Sequence, residues 1–157
     1  VLPSGFQSKI KSINAGEHEV QEAYAPMSIS MTLEDDKDVS RGNMIVRKNN
    51  QPEMEQEFDV MLCWLNNDSA KPRAKYTIVH TSHEERALIK EVVYKMDINT
   101  FERDKTGQDL AMSDIARVKI RTTRRMMLDT YRENRNTGSI ILIDENTNET
   151  VAAGMVV

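Results

Sequence analysis

The chain has 157 residues, 39% hydrophobic and 29% charged, with a formal net charge of -4 and one cysteine. No apolar run approaches the roughly 18 residues of a membrane span. These figures fit a globular chain of one domain or two small ones, exclude an internal disulfide, and disfavour a dedicated nucleic-acid binder, which is ordinarily basic.

In chain order, strand signals dominate. Met27, Ile29, Met31 and Leu33 alternate with Ser28, Ser30 and Thr32, the pattern of a half-buried strand. Ser40-Arg41-Gly42-Asn43 reads as a turn before the strand Met44 to Val46, with Gly42 at a positive φ. Arg47 to Glu53 has no apolar residue and contains a proline, which marks a linker between two β modules. Phe58 to Leu65 is apolar on both parities, so it is expected to be covered on both faces, with Cys63 a buried, inert thiol beside Trp64. Tyr76 to Thr81 is a further short strand. Val118 and Ile120 alternate with Arg117, Lys119 and Arg121 in another. Ile140 to Asp144 and Thr150 to Val157 read as a hairpin around Asp144, Glu145, Asn146 and Asn148, with small Ala152 and Gly154 permitting close approach.

One segment opposes this picture. Leu88, Ile89, Val92, Val93 and Met96 have the spacing of an amphipathic helix, and Ser82 with Glu85 has that of a capping box. The cluster Ile89, Val92, Val93, Tyr94 is instead rich in strand formers. Residues alone leave helix and strand open over 84–96.

Chemistry is sparse. The glycines at 5, 16, 42, 107, 138 and 154 are isolated and none precedes Lys, so no phosphate-binding loop is present. Asp104-Lys-Thr-Gly107 matches D-x-x-G, but without that loop it reads as a turn. His80 and His83 are three apart and lack the further ligands zinc needs, so partly exposed histidines are expected rather than a metal site. No nucleophile and base are grouped. The site reading is therefore no catalytic, cofactor-binding or metal residue. Arg117, Lys119 and Arg121 share one strand face, and form either a solvated barrel face or a docking stripe for an acidic partner. Arg135, in Asn134-Arg-Asn-Thr-Gly138, is the second candidate contact, while Gly138 suits a bend.

TGSIILID (Thr137 to Asp144) followed by TVAAGMV (Thr150 to Val156) resembles the closing hairpin of the third domain of the large, GTP-binding subunit of bacterial sulfate adenylyltransferases, relatives of elongation factor Tu. FDVMLCWL (Phe58 to Leu65), YKMDINTFE (Tyr94 to Glu102) and LAMSDIARVKI (Leu110 to Ile120) resemble the same domain. LPSG (Leu2 to Gly5), APMSISMTLED (Ala25 to Asp35) and SRGNMIV (Ser40 to Val46) resemble the back half of the second. The resemblance implies an all-β fold: a truncated second-domain barrel over 1–50 and a Greek-key third-domain barrel over 51–157. It also places a strand over Leu88 to Met96, with Val92 and Tyr94 expected on one side.

It further implies a non-catalytic piece of a cytoplasmic complex that makes adenosine phosphosulfate and diphosphate from ATP and sulfate. GTP and magnesium would belong to an N-terminal GTPase domain absent here, in keeping with a start at Val-Leu-Pro rather than Met. The implied partners are that domain and the separate adenylyl-transferring subunit, with no membrane. The alternative is the β domains of a translation factor that bind tRNA. The acidic balance and the poor match at Asn99 to Ala111 count against it.

Overall fold

The computed structural model describes residues 1–70 and 73–157, and among these there is no helix. No helix among them is long and apolar enough to cross a membrane. The chain divides into two compact units, Val1–Ile45 and Val46–Val157.

In the first unit, β1 (Ile10–Ala15), β2 (His18–Val20) and β3 (Ser30–Leu33) form an antiparallel sheet in the order β2-β1-β3. The alternating run yields a shorter strand than expected: it starts at Ser30, with Met31 and Leu33 half-buried and Ile29 exposed. The turn at Ser40–Asn43 forms, with Gly42 at φ +91° and the Ser40 amide donating to Asn43 Oδ1 at 2.9 Å, but Met44 to Val46 is not the expected strand, since Met44 makes only an isolated bridge to Leu2.

The second unit is built from β4 (Glu53–Trp64), β5 (Lys75–His80), β6 (His83–Met96), β7 (Arg103–Asp104), β8 (Ile115–Leu128), β9 (Ser139–Asp144) and β10 (Thr150–Val156). The pairing order is β5-β9-β10-β4-β8-β6, and β6 pairs back onto β5. The six strands thus close into an antiparallel barrel, with the short β7 added to β6. Closure leaves the barrel strands no free edge. Strands β5, β6 and β8 follow one another around the wall and β4 returns beside β8, the connection of a Greek key.

Alternation sorts each strand into an inner and an outer face. β4 turns Phe58, Val60, Leu62 and Trp64 inward, against Val118 and Ile120 of β8 and Ile140 and Leu142 of β9. Each such burial is worth about 1.5–3 kcal/mol. Trp64 meets Tyr76 edge-on, ring centroids 5.9 Å apart, and its Nε1 donates to Asp68 O at 2.8 Å. On β10 the small residues Ala152 and Gly154 face inward, opposite Trp64 and Leu62. A Cβ on Gly154 would lie 2.4 Å from Val60 Cγ1, so glycine lets the wall close there.

Two expectations fail, each for a physical reason. β4 is fully buried on its inner face, whereas outward Asp59, Met61 and Cys63 are half-buried, so Cys63 is not shielded within this chain. The barrel core covers one face of a strand, and the other is covered only as far as its neighbours' outward side chains reach.

The second concerns β6, which is a strand as the resemblance implied. Its apparent helical spacing comes from two bulges, between Ile89 and Glu91 and between Val92 and Tyr94. Each bulge inserts one unpaired residue and stretches the inward repeat from two residues to three. Ile89 and Val92 lie opposite Ile120 and Val118 and pack in or against the core. After the second bulge Tyr94 lies opposite Arg117, on the outer face. Val92 and Tyr94 therefore do not share a side.

Candidate docking surface

The three cations of β8 do share the outer face, between the buried Ala116, Val118 and Ile120. Register decides their surroundings. Arg117 lies between Met61 and Tyr94, Lys119 between Asp59 and Glu91, and Arg121 between Glu57 and Leu88. The Arg117 Nε and Nη2 atoms donate to Asp59 Oδ2 at 2.8 and 2.7 Å. That bond is the main reason the guanidinium pKa is raised. Glu57 takes Lys90 at 2.8 Å and Arg121 at 3.7 Å. The Lys90 hydrogen bond is the chief cause holding the Glu57 carboxyl below its ordinary value. The stripe is thus one rail of a charge ladder. Lys119 is the member without a short ion pair among the described residues.

The ladder runs on into a Met61–Tyr94–Arg103 contact that sequence reasoning missed. The Tyr94 hydroxyl reaches Met61 Sδ at 3.7 Å, and the Arg103 guanidinium lies over the ring, 4.9 Å from its centroid. Arg103 opens β7, and the β6–β7 connection just before it is a hydrogen-bonded turn. The Asp97 carboxylate accepts from the amides of Asn99 at 2.7 Å and Thr100 at 3.1 Å. The Phe101 amide donates to Asp97 O at 2.8 Å and the Asp97 amide to Glu102 O at 3.0 Å. The Asn99 amide is the first cause holding the Asp97 carboxyl below its ordinary value. Phe101 has φ +59° and is 74% exposed. The signal was present as two apolar residues, Ile98 and Phe101, inside the polar run from Asp97 to Lys105.

Arg135 is not brought into the stripe. It lies in the connection after β8, beyond the end of that strand remote from Arg117, and its carbonyl accepts from Ser139 Oγ at 2.5 Å. Gly138 is structural, since a Cβ there would come within 2.4 Å of the Tyr131 backbone. His80 and His83 face each other across the β5–β6 hairpin. Contrary to the expected partial exposure, His80 is buried, because its ring fits under the 130–138 connection, where its Nε2 donates to Thr137 O at 2.6 Å. Burial is the largest influence on its imidazole and lowers the pKa, against the Thr137 bond. His83 Nε2 is buried and meets no partner among the described residues. Asp104 accepts from the Thr106 amide at 2.8 Å and hydroxyl at 2.6 Å, so the D-x-x-G match is a side-chain-capped turn. No group of three or more His, Cys, Asp or Glu among the described residues is placed to hold a metal.

Residues 57–157 match the family model described as GTP-eEF1A C-terminal domain-like. The chain is 46% identical over 157 residues to the bifunctional enzyme CysN/CysC of Mycobacterium tuberculosis, covering 99% of this chain and 26% of the relative. It is 41% identical to sulfate adenylyltransferase subunit 1 of a Sulfurovum species, covering 100% of this chain and 34% of the relative. For the Bacteroides fragilis subunit 1 the identity is 39%, over 99% and 33%. The chain thus spans about a third or less of these relatives. Among solved structures, sup35 complexed with GDP superposes with a TM-score of 0.88 at 17% identity, covering 99% of this chain and 38% of that one, a likeness of fold. With the family model covering the closed barrel from residue 57 of its first strand to the end of the chain, the chain belongs to the GTP-eEF1A C-terminal domain-like family.

Proposed function

We propose that this chain is the C-terminal β region of the GTP-dependent subunit of a cytoplasmic sulfate adenylyltransferase, and that its role is docking rather than chemistry. The observation that carries the reading is the 46% identity to CysN/CysC along 99% of the chain. In this reading 1–50 is the back half of a second-domain barrel and 51–157 the third domain. GTP and magnesium belong to a preceding GTPase domain, and a separate subunit transfers the adenylyl group from ATP to sulfate. The β8 stripe supplies polar contacts to that subunit, with Arg135 as an outlying one. Pairing within the ladder suits such a role, since rim charges set encounter rate and salt dependence more than total affinity.

The test is association kinetics between the full-length subunit and the adenylyl-transferring subunit. Lys119→Gln with Arg121→Gln is expected to slow association and flatten its salt dependence while leaving the melting temperature in place. Unchanged kinetics return the stripe to a solvated barrel face. A salt-sensitive complex with tRNA, and none with the transferring subunit, favours the translation-factor alternative.

A further inference from the structure

We infer that the β6–β7 tip, led by Phe101, is the apolar anchor of a protein-docking site, and that it inserts into an apolar pocket flanked by basic residues on the adenylyl-transferring subunit. The identity of that partner rests on the function proposed above; the anchor itself rests on the structure.

Phe101 is wrong for its backbone and uncovered in this fold. At φ +59° it occupies the left-handed region that glycine and asparagine fill without penalty. Yet the residue is 74% exposed, so burial within this chain does not compensate. Strain of this kind, held by surrounding hydrogen bonds, collects at functional sites. Here the Asp97 carboxylate and the Asp97–Phe101 and Asp97–Glu102 backbone bonds hold the turn. A pre-shaped turn carrying an aromatic side chain loses little freedom on binding.

Phe101 has company. Ile98 on the same turn is 62% exposed, Met112 54% and Leu65 46%. The last two belong to the same end of the barrel. The Ser113 amide donates to Trp64 O at 2.8 Å, and Lys95, on the stem of the tip, holds Asp114 at 2.9 Å. Ser113, next to Met112, is also a positive-φ residue, at +70°. Of the exposed large apolar residues in 46–157, four, Leu65, Ile98, Phe101 and Met112, thus lie at one end of the barrel.

Charge selects the occupant. Between residues 95 and 114 there are five carboxylates and three cations. Lys95 and Asp114 neutralise each other and Arg103 lies over Tyr94, which leaves four carboxylates with Lys105 the one cation outside these contacts. An apolar tip with an acidic surround fits a pocket rimmed by Lys or Arg, and repels a second copy of the same tip. The surface also continues directly into the β8 ladder through Tyr94 and Arg117. Anchor and rim are then one interface, with the apolar centre setting residence time and the ladder the encounter rate.

The experiment compares wild type, Phe101→Gly and Phe101→Asn in the full-length subunit, binding to the purified transferring subunit by surface plasmon resonance, with thermal melts alongside. Both variants relieve the backbone, so melting is expected to be unchanged or higher. Dissociation is expected to speed up at least tenfold, with association changed less than threefold. Well-folded variants with dissociation within twofold of wild type overturn the inference and leave the docking function standing. Loss of folding in both variants also overturns it, because Phe101 would then be structural. Phe101-dependent self-association of the subunit, by sedimentation velocity, overturns the choice of partner. No binding by wild type removes the proposed function and this inference together.

Discussion

His80 shows how one buried side chain ties the hairpin tip to the loop opposite. Its Nε2–H donates to Thr137 O at 2.6 Å, and burial lowers the imidazole pKa below its ordinary 6.5. The folded state therefore binds fewer protons than the unfolded state between the lowered value and 6.5, and stability rises with pH across that window. The contribution is fully present above about 6.5 and is lost as pH falls through the folded-state value. Urea denaturation at stepped pH is expected to show this slope, and His80→Gln to remove it. Gly138 makes a second prediction. An added methyl would meet Tyr131 Cα and N at 2.4 Å, which are backbone atoms that cannot swing aside. Gly138→Ala is expected to destabilise by about 1–3 kcal/mol, read as a lower denaturation midpoint.

For strands, the informative element is β6. Two bulges stretch its inward repeat and carry Tyr94 to the outside, where Arg103 and Met61 cover it. The outer face it shares with β8 and β4 is a ladder of opposite charges, and its rungs differ in strength. Arg117 makes two short bonds to Asp59, whereas Lys119 makes none among the described residues. Both lie at a partly solvated surface, so neither contributes much. Arg117→Gln is expected to lower stability by about 1 kcal/mol and Lys119→Gln by a few tenths at most, roughly the range for exposed pairs. Urea midpoints at low and at 1 M salt check this, and the Arg117 effect is expected to shrink as salt screens the pair.

Across the whole molecule, stability is unevenly distributed. Apart from Leu2, the fully buried apolar side chains belong to the closed barrel of 46–157. The first unit is a three-stranded sheet whose residues are half-buried at most in β1 to β3. Residues 46–157 alone are expected to melt cooperatively, and residues 1–45 alone to show no transition, by circular dichroism and calorimetry. A cooperative transition in the isolated first unit would contradict this. The absence of a phosphate-binding loop makes a further prediction: the chain shows no saturable, stoichiometric GTP binding in titration calorimetry.

The sequence by itself determined that strands dominate, the strands at Phe58 to Leu65, Tyr76 to Thr81, Ile140 to Asp144 and Thr150 to Val157, the polar turn at Asp144 to Asn148 and the shared face of Arg117, Lys119 and Arg121, while 84–96 stayed open between helix and strand. Each follows from local alternation or from short polar side chains that cap their own turns. Only the tertiary structure decided what pairs with what. That β6 closes onto β5, that Asp59 meets Arg117, and that Cys63 faces outward are statements about register between segments distant in sequence. The bulges of β6 set the limit of reading by period, since a strand repeating every three residues imitates a helix until its partner strand is known. Phe101 marks the same limit at a single residue. Its letter suggests core, and only the fold shows that the barrel closes without it, leaving the residue exposed on a strained, hydrogen-bonded turn.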